Sequence, residues 1–469
     1  MSTINFSAAE WAEQQFGSCI LGDARRTRRL VMLAEQVAGN PSGSTPDQTE
    51  SWGDLKAAYR LFDQDDVTFD AIIAPHCQQT LTNCQADSVK LIINDTTEID
   101  FGLHRKVEGL KPTGNGFGRG FFLHSALMVD AESGKVEGLA GQKIFYREPR
   151  TKAEKKKPHN TRRRQGSAES QVWRNQFEDV GQPPSLVKWI HVCDRGADDY
   201  EVYCQAQRQK CGFVVRAARL NRKVLDTDGQ KLPLTELLDA LPAQGTRAVA
   251  VLATTKSPAR TAEVTLRFGS LLMPWPSVVT KWMREHSTKD QPIKMNVVEL
   301  REMNPPKGAQ AIRWVLFTSE AAQWVVQANG VIEHYEQRPI VEEYHKALKT
   351  GCSIEERRYE TAERLERVLG LLSVTAVRLL QMKTAALETP DRPARDLVPS
   401  SWIKMLQCIR RQPLDPDMTI DAFVRLLAKL GGHLGRKGDG RPGWITLWRG
   451  VEKLILILRG AAAASKRCG

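Results

Sequence analysis

Between residues 86 and 220 five short apolar runs follow one another: SVKLIIND, FFLHSALMVD, VEGLAGQKIFY, LVKWIHVCD and GFVVRA. Each is bounded by charged or turn-forming residues, and each has the length of a strand rather than a helix. Consecutive apolar runs of this kind belong to strands covered on both faces, so a mixed sheet in an α/β architecture is predicted here. The rest of the chain has to be arranged around that sheet.

Residues 7 to 67 read as a helical unit, because WAEQQFG, TRRLVMLAEQVAG and DLKAAYRLF repeat apolar residues at helical spacing between Gly, Pro, Ser and Asp breakers. The second of these helices opens with Arg25, Arg26, Arg28 and Arg29. A charged face is often only solvated, but four arginines within five positions also suit phosphate contact. The charged run from Arg147 to Arg164 interrupts the sheet pattern and reads as a surface loop, with DNA contact as its functional alternative. From 221 to 310 the runs RAVAVLATT, TAEVTLRFG and IKMNVVELREM predict an inserted antiparallel piece, after which AIRWVLFTS resumes the sheet. Helical patterns then dominate, from VEEYHKALK through ERLERVLGLLSVTAVRLLQMKTAAL to TIDAFVRLLAKL and WRGVEKLILIL. The expected division is a helical unit at 1–68, a central domain at 69–370 with its insertion at about 221–310, and a helical unit at 371–469.

Charge narrows the partner. Among 469 residues, 67 Lys and Arg oppose 55 Asp and Glu, for a formal charge of +12. That excess favours a polyanion: nucleic acid first, an anionic membrane surface as the rival. No stretch reads as approaching the roughly 20 apolar residues of a spanning helix, and the amino end lacks a secretory pattern. A cytoplasmic protein with no membrane partner is expected. The nine cysteines are scattered and form no CxxC pair, which argues for free thiols and against structural zinc. His76, Cys77 and Cys84 come nearest to a ligand cluster, and chance adjacency explains them.

Two aspartates stand at the ends of apolar runs, Asp95 after SVKLIIN and Asp194 after LVKWIHVC. Taken singly, either serves as a turn former or a helix cap. Together they suit hard divalent cations, which take oxygen ligands. In YEQRPIVEEYHKALKTG, Tyr335, Arg338, Glu342 and Lys349 are spaced by three, four and seven residues. On a helix this brings Arg338 and Lys346 within a turn of Glu342 and Lys349 within two turns. An exposed helix laced with ion pairs accounts for the same spacing. The alternative is phosphodiester chemistry: two Mg²⁺ or Mn²⁺ ions about 4 Å apart, held by three carboxylates, with cations clamping the other phosphate oxygens.

These motifs resemble the insertion-sequence-four family of bacterial DDE transposases. The likeness is carried by Tyr335, Arg338, Glu342 and Lys349, by NPPKG, RWVLFTSE and EEYHKALKTG around them, by Asp95 in NDTT and by Asp194 in CDRGAD. LGDARRTRRL near the amino end and GWITLWRG near the carboxy end extend it over almost the whole chain. The resemblance implies an RNase H-like (retroviral-integrase-like) core with a β insertion, flanked by helical terminal domains, in a bacterial, nucleoid-associated protein. The 148 residues from Asp194 to Glu342 leave room for that insertion.

It further implies an enzyme that binds the inverted ends of an element as a homodimer. Such an enzyme nicks to expose a 3′-hydroxyl, forms and reopens a hairpin, and joins the ends to target DNA, with no nucleotide cofactor. Asp95, Asp194 and Glu342 would be catalytic metal ligands for two divalent ions. Tyr335, Arg338, Lys346 and Lys349 would hold hairpin phosphates, and Trp314 would stack a flipped base. Read without the family, Trp314 is a core residue of an apolar strand. Pro339 departs from the family, which has a second tryptophan there; a proline is harmless to the helix only if the helix begins within about a turn before it. Arg195, Arg216 and the amino-terminal Arg25, Arg26 and Arg28 are further DNA contacts, with ion-pair partner as the alternative for the first two. Glu343, Asp198, Asp199, Glu98 and Asp100 are neighbouring carboxylates that compete for the ligand roles. TGNGFGRG mimics a phosphate loop, but a turn before a strand suffices. A catalytically silent end-binding regulator, or a nuclease that cuts without joining, would fit the same chain.

Overall fold

The computed structural model describes residues 8–114, 116–147, 168–251, 259–288, 291–309, 311–436 and 440–465. Most of the charged run expected to be a surface loop, residues 148 to 164, lies outside them. The chain opens with α1 (Ala8–Phe16), α2 (Ala24–Gly39), α3 (Thr45–Gln48), α4 (Trp52–Leu61) and α5 (Phe69–Thr82). Asp23 caps α2 by accepting from the Arg25 amide, and Ser51 does the same for α4 from the Asp54 amide. The turn before α2 is fixed by Gly22, whose φ of +74° suits glycine and whose missing Cβ leaves room for the Asp66 carboxylate.

The sheet begins with β1 (Val89–Asp100), β2 (Lys111–Thr113), β3 (Gly118–Asp130) and β4 (Val136–Phe145). After α6 (Ala168–Val180) come β5 (Lys188–Cys193), α7 (Tyr200–Arg208) and β6 (Gly212–Arg216). Next are β7 (Lys223–Leu225), β8 (Lys231–Pro233), α8 (Leu234–Ala240), β9 (Gly245–Val251), β10 (Arg260–Met273), α9 (Lys281–His286), β11 (Ile293–Glu302) and β12 (Arg313–Thr318). Among the described residues, all twelve strands form one sheet in the order β2-β3-β1-β5-β6-β12-β11-β10-β7-β8, with β4 on β3 and β9 on β10. β1, β5 and β6 are mutually parallel, and the remaining pairs are antiparallel. The predicted mixed sheet and antiparallel addition are therefore both present, the addition continuing the same sheet through β12.

Burial explains the apolar runs. Leu91 and Ile93 of β1 enter the main core, while Ile92 between them enters a second core with Val180 of α6 and Trp189 of β5. A strand whose alternate residues both find cores has no polar face to show. β1 runs farther than its apolar stretch: Asp95 was expected to close the strand, yet it pairs with Ser125 of β3 and the ladder continues to Asp100. What ends near Asp95 is the parallel pairing with β5, whose last pair is Asn94 with Cys193.

The carboxy-terminal part holds α10 (Val325–Glu336), α11 (Pro339–Lys346), α12 (Ala362–Glu388), α13 (Ser400–Ile409), α14 (Ile420–Leu430) and α15 (Trp444–Ser465). α12 crosses residue 370 unbroken and packs on α5 and β4. By length and composition Ala362–Ala386 suffices to cross a membrane, contrary to the reading that no stretch approaches this; it is mostly buried, as the core helix of a globular fold would be. The eight described cysteines are free.

Candidate active site

Two strand ends deliver the aspartates. Because the parallel ladder of β1 and β5 stops at Asn94 and Cys193, the next residues, Asp95 and Asp194, stand beside each other where the two backbones part. Each spends one carboxylate oxygen on its own turn. Asp95 Oδ1 accepts from the Thr96 amide at 2.9 Å, and Asp194 Oδ1 from the Gly196 amide at 2.7 Å. Gly196 is required there, since a Cβ would come within 2.7 Å of the Trp173 ring.

The third carboxylate arrives from the helices. Tyr335, Arg338, Glu342 and Lys349 were expected on one continuous helix, but α10 ends at Glu336 and α11 starts at Pro339. Proline at the first helical position loses a donor that would be unpaired in any case, so the departure costs the helix little. The junction instead turns by short bonds, Ile340 N to Gln337 O and Val341 N to Arg338 O. α11 then widens into a π-type turn over Ala347–Gly351, closed by Cys352 N on Ala347 O at 2.8 Å.

This geometry brings three distant acids onto one guanidinium. Arg338 Nη2 lies 3.0 Å from Asp95 Oδ2 and 3.7 Å from Asp194 Oδ2, and Nη1 lies 2.7 Å from Glu342 Oε1. Exposure rises across the cluster, from 13% for the Asp95 side chain to 36% for Asp194 and 48% for Glu342, so the cleft opens on the glutamate side. Burial pushes the Asp95 carboxyl up to about 6; Arg338 opposes this, while Asp194 and Glu342 add to it. Burial would lower the Arg338 guanidinium, but Asp95, Glu342 and Asp194 together hold it above its ordinary value. Three acids and one cation leave an excess of negative charge.

The competing carboxylates are engaged elsewhere. Glu343 pairs with Lys383 at 2.5 Å, and Asp198 is buried against Arg222 at 2.7 Å and accepts from the Tyr203 hydroxyl. Asp199 caps α7, Glu98 accepts from the Gly114 amide, and Asp100 accepts from the amides of Gly102 and Arg119. Among the described residues no three His, Cys, Asp or Glu side chains form a ready cage for an ion as they stand. In this cluster the guanidinium lies between them.

Around the cluster, Tyr335 is buried and meets Trp314 edge-on at 5.4 Å. Burial raises the Tyr335 hydroxyl, with Arg216 and Arg338 pulling the other way. Trp314 is half-buried on β12 against the main core, and Arg216 ends β6 with Nη2 3.3 Å from the Arg313 carbonyl. Lys346 and Arg195 are exposed. Lys349, carried by the π-type turn, pairs with Glu355 at 3.2 Å rather than with Glu342. In the amino-terminal helices Arg25 and Arg28 are exposed, whereas Arg26 binds Asp66 and Gln64, and Arg29 binds Asp54.

Sequence reasoning missed the layer behind the site. His345 Nε2 lies 3.3 Å from Ser125 Oγ, and Gln142 Nε2 donates to both Ser125 Oγ and the Tyr344 hydroxyl at 2.9 Å. These bonds fasten α11 to the strand facing Asp95. Burial holds His345 near 3, so it is neutral at ordinary pH. Only its place one position past Tyr344, on the inward side of α11, hinted at this. Also missed was α4, where Lys56 sits 5.2 Å over the exposed Trp52 ring beside the exposed Tyr59. His76, set aside as a ligand, accepts from the Leu139 amide at 3.0 Å. Of TGNGFGRG, Thr113 ends β2 and Gly118 opens β3, and Gly114 and Gly116 between them have positive φ.

Comparison with known proteins assigns the class from the two ends of the chain. Residues 8–67, spanning α1 to α4, match the family model of a transposase DNA-binding domain, which supports a transposase. Residues 377–468, from within α12 to beyond α15, match the model of the Tn5 transposase dimerisation domain. Together the two matches support a Tn5-like transposase. Among solved structures, the cryo-EM structure of a piggyBac transposase synaptic complex with hairpin DNA aligns with 93% of this chain and 76% of its own. Identity there is 10% and the TM-score 0.36.

Proposed function

We propose that this transposase cuts and joins DNA at the inverted ends of its element, as a homodimer on paired ends, with Asp95, Asp194 and Glu342 as catalytic carboxylates. The observation that carries the reading is the meeting of these three acids, from three separate elements, on Arg338. An RNase H-like core is supported by the order β4-β3-β1-β5-β6, with β1, β5 and β6 parallel and the acids where the central parallel pair ends.

The donor set suits hard divalent cations. It offers oxygen ligands only, one of them a carboxyl raised by burial and by its acidic neighbours. Asp95, Asp194 and Glu342 would hold Mg²⁺ or Mn²⁺, two ions per site. When bound, these ions supply charge neutralisation on the attacking and leaving oxygens of phosphodiester cleavage. The chain's own residues do the rest. Asp95 and Asp194 are pre-oriented, each with one oxygen tied to backbone and the other turned to the cleft. Arg338 offsets part of the acids' charge in the free protein, and with cations held by the carboxylates it would be free to bind a DNA phosphate. Arg216, Lys346, Arg195 and Lys349 would serve as further phosphate partners, and Trp314 beside Tyr335 offers an aromatic face to an unstacked base.

Water attack at phosphorus breaks the P–O3′ bond and frees a 3′-hydroxyl. That hydroxyl then attacks the opposite strand, closing a hairpin as another P–O bond breaks. A second hydrolysis reopens the hairpin, and the 3′-hydroxyl finally joins target DNA. A nicking assay with Mg²⁺ on duplex carrying the inverted ends of the element tests the proposal. Nicked, hairpin and joined products are expected. Normal end binding without cleavage would leave a silent regulator, and cleavage without joined product would leave a nuclease.

A further inference from the structure

Away from the carboxylates, a cavity of about 130 Å³ lies between α1, α5, the β3–β4 turn and α12. Its walls include Trp11, Asn83, Lys135, Glu137, Arg378 and Gln381. Much of the polar wall is satisfied internally. Gln79 Nε2 donates to the Gln14 carbonyl, Gln15 Nε2 to Gln79 Oε1, and Gln381 Nε2 to the carbonyls of Val136 and Glu137. The exception is Arg378. Its Nη1 is buried without a hydrogen-bond partner, and its guanidinium lies over the Trp11 ring at 4.9 Å.

The charge balance has the same gap. Lys90 holds Asp130 at 2.8 Å and Glu137 at 3.4 Å, and Lys135 shares Glu137 at 3.8 Å. Three cations thus face two acids, and among the described residues Arg378 forms no ion pair. Burial lowers it to about 10, with no neighbouring acid to offset the loss of water, yet it stays charged at neutral pH. A cation–π contact returns less than leaving a buried charge and a buried donor unpaired costs. The unmet capacity is entirely that of a hydrogen-bond donor with positive charge.

We propose that this cavity is a binding site for a small tetrahedral oxyanion of the phosphate class, held by Arg378 with Lys135 and the Asn83 amide at its rim. An ion there would tie α12, at the start of the dimerisation match, to the end of α5 and the β3–β4 turn. The site is independent of the carboxylate cluster, so it stands or falls apart from the cleavage reading.

The test is thermal melting of the full chain while sodium phosphate replaces sodium chloride at constant ionic strength. Phosphate also stabilises proteins by exclusion from their surface, but that effect rises without saturating and is shared by all variants. The wild type should show a saturable rise in melting temperature superposed on that trend. Arg378→Gln should lose the saturable part, and Lys135→Met should need about tenfold more phosphate to reach half of it. A wild type lacking saturation, or an Arg378→Gln chain that keeps it, overturns the proposal. If Arg378→Gln does not fold, an unchanged midpoint in Lys135→Met overturns it equally.

Discussion

Replacing Asp95 with asparagine should make the metal-free protein more stable while removing its nicking activity. The carboxyl is lifted from 3.8 to about 6 by burial and by Asp194 and Glu342, beyond what Arg338 recovers. Two units at about 1.4 kcal/mol each make the ionised group a burden of about 3 kcal/mol to the fold. The sign follows from proton binding. The folded chain holds this proton more tightly than the unfolded one, so the contribution to stability is full below about pH 4. It is lost as pH climbs to about 6 and stays lost above that. The amide that replaces the carboxylate in Asp95→Asn carries no charge to desolvate. In EDTA at about pH 8 the variant should therefore melt higher by about 3 °C if the chain unfolds as one unit, and the difference should vanish near pH 4. Magnesium should reverse the ranking once it reaches about 1,000 times its dissociation constant, where a ligand adds about 4.1 kcal/mol to the wild type, and the variant has lost a ligand oxygen's charge. Differential scanning calorimetry over that pH range, with and without Mg²⁺, measures all of this. A variant that melts lower than wild type at pH 8 in EDTA would refute the electrostatic argument, as would a gain that persists unchanged at pH 4.

Glu342→Ala should abolish nicking and leave the end-binding constant within about twofold, since its exposed carboxylate touches no amino-terminal residue; gel shift beside a cleavage assay separates the two. Arg28→Ala should weaken end binding and lower the salt slope of log K by about one, whereas Arg26→Ala should chiefly lower the melting temperature, because Arg26 is tied to Asp66 and Gln64. Arg357→Met should destabilise by roughly 3 kcal/mol in denaturant titration, because that buried guanidinium serves the carbonyls of Pro41, Gly43 and Cys352 and leaves them unpaired on removal.

The central strands were legible because β3, β5, β6 and the first half of β1 are buried on both faces, which writes them into the sequence as runs of apolar residues. The helices between them were not: α6 carries Trp173 and Phe177 inward on a polar background that no simple period reveals. Asp95 and Asp194 were legible as acids after apolar runs, yet the extension of β1 to Asp100 was not, since DTTEID has the composition of a turn. The spacing of Tyr335, Arg338, Glu342 and Lys349 suggested one helix. Pro339 and the π-type turn divide it, and the division turns Lys349 toward Glu355. The bridging position of Arg338 depends on the register of β1 against β5, which only pairing between distant segments defines. The resemblance located the acids; it carried nothing about His345 or Ser125 behind them.

The π-type turn that ends α11 leans on the far end of the chain. A Cβ at Gly351 would come within 3.3 Å of Trp444 and 3.7 Å of Trp448, whose rings stack 6.0 Å apart, and the Trp444 indole donates to Thr350. The last helix is therefore a buttress for the glutamate-bearing one, so a product ending before residue 444 would expose the underside of that helix. Under the proposed function, such a fragment would keep α1 to α4 for gripping DNA while its carboxylate cleft slackened, making truncation a way to turn a cutter into a competitor.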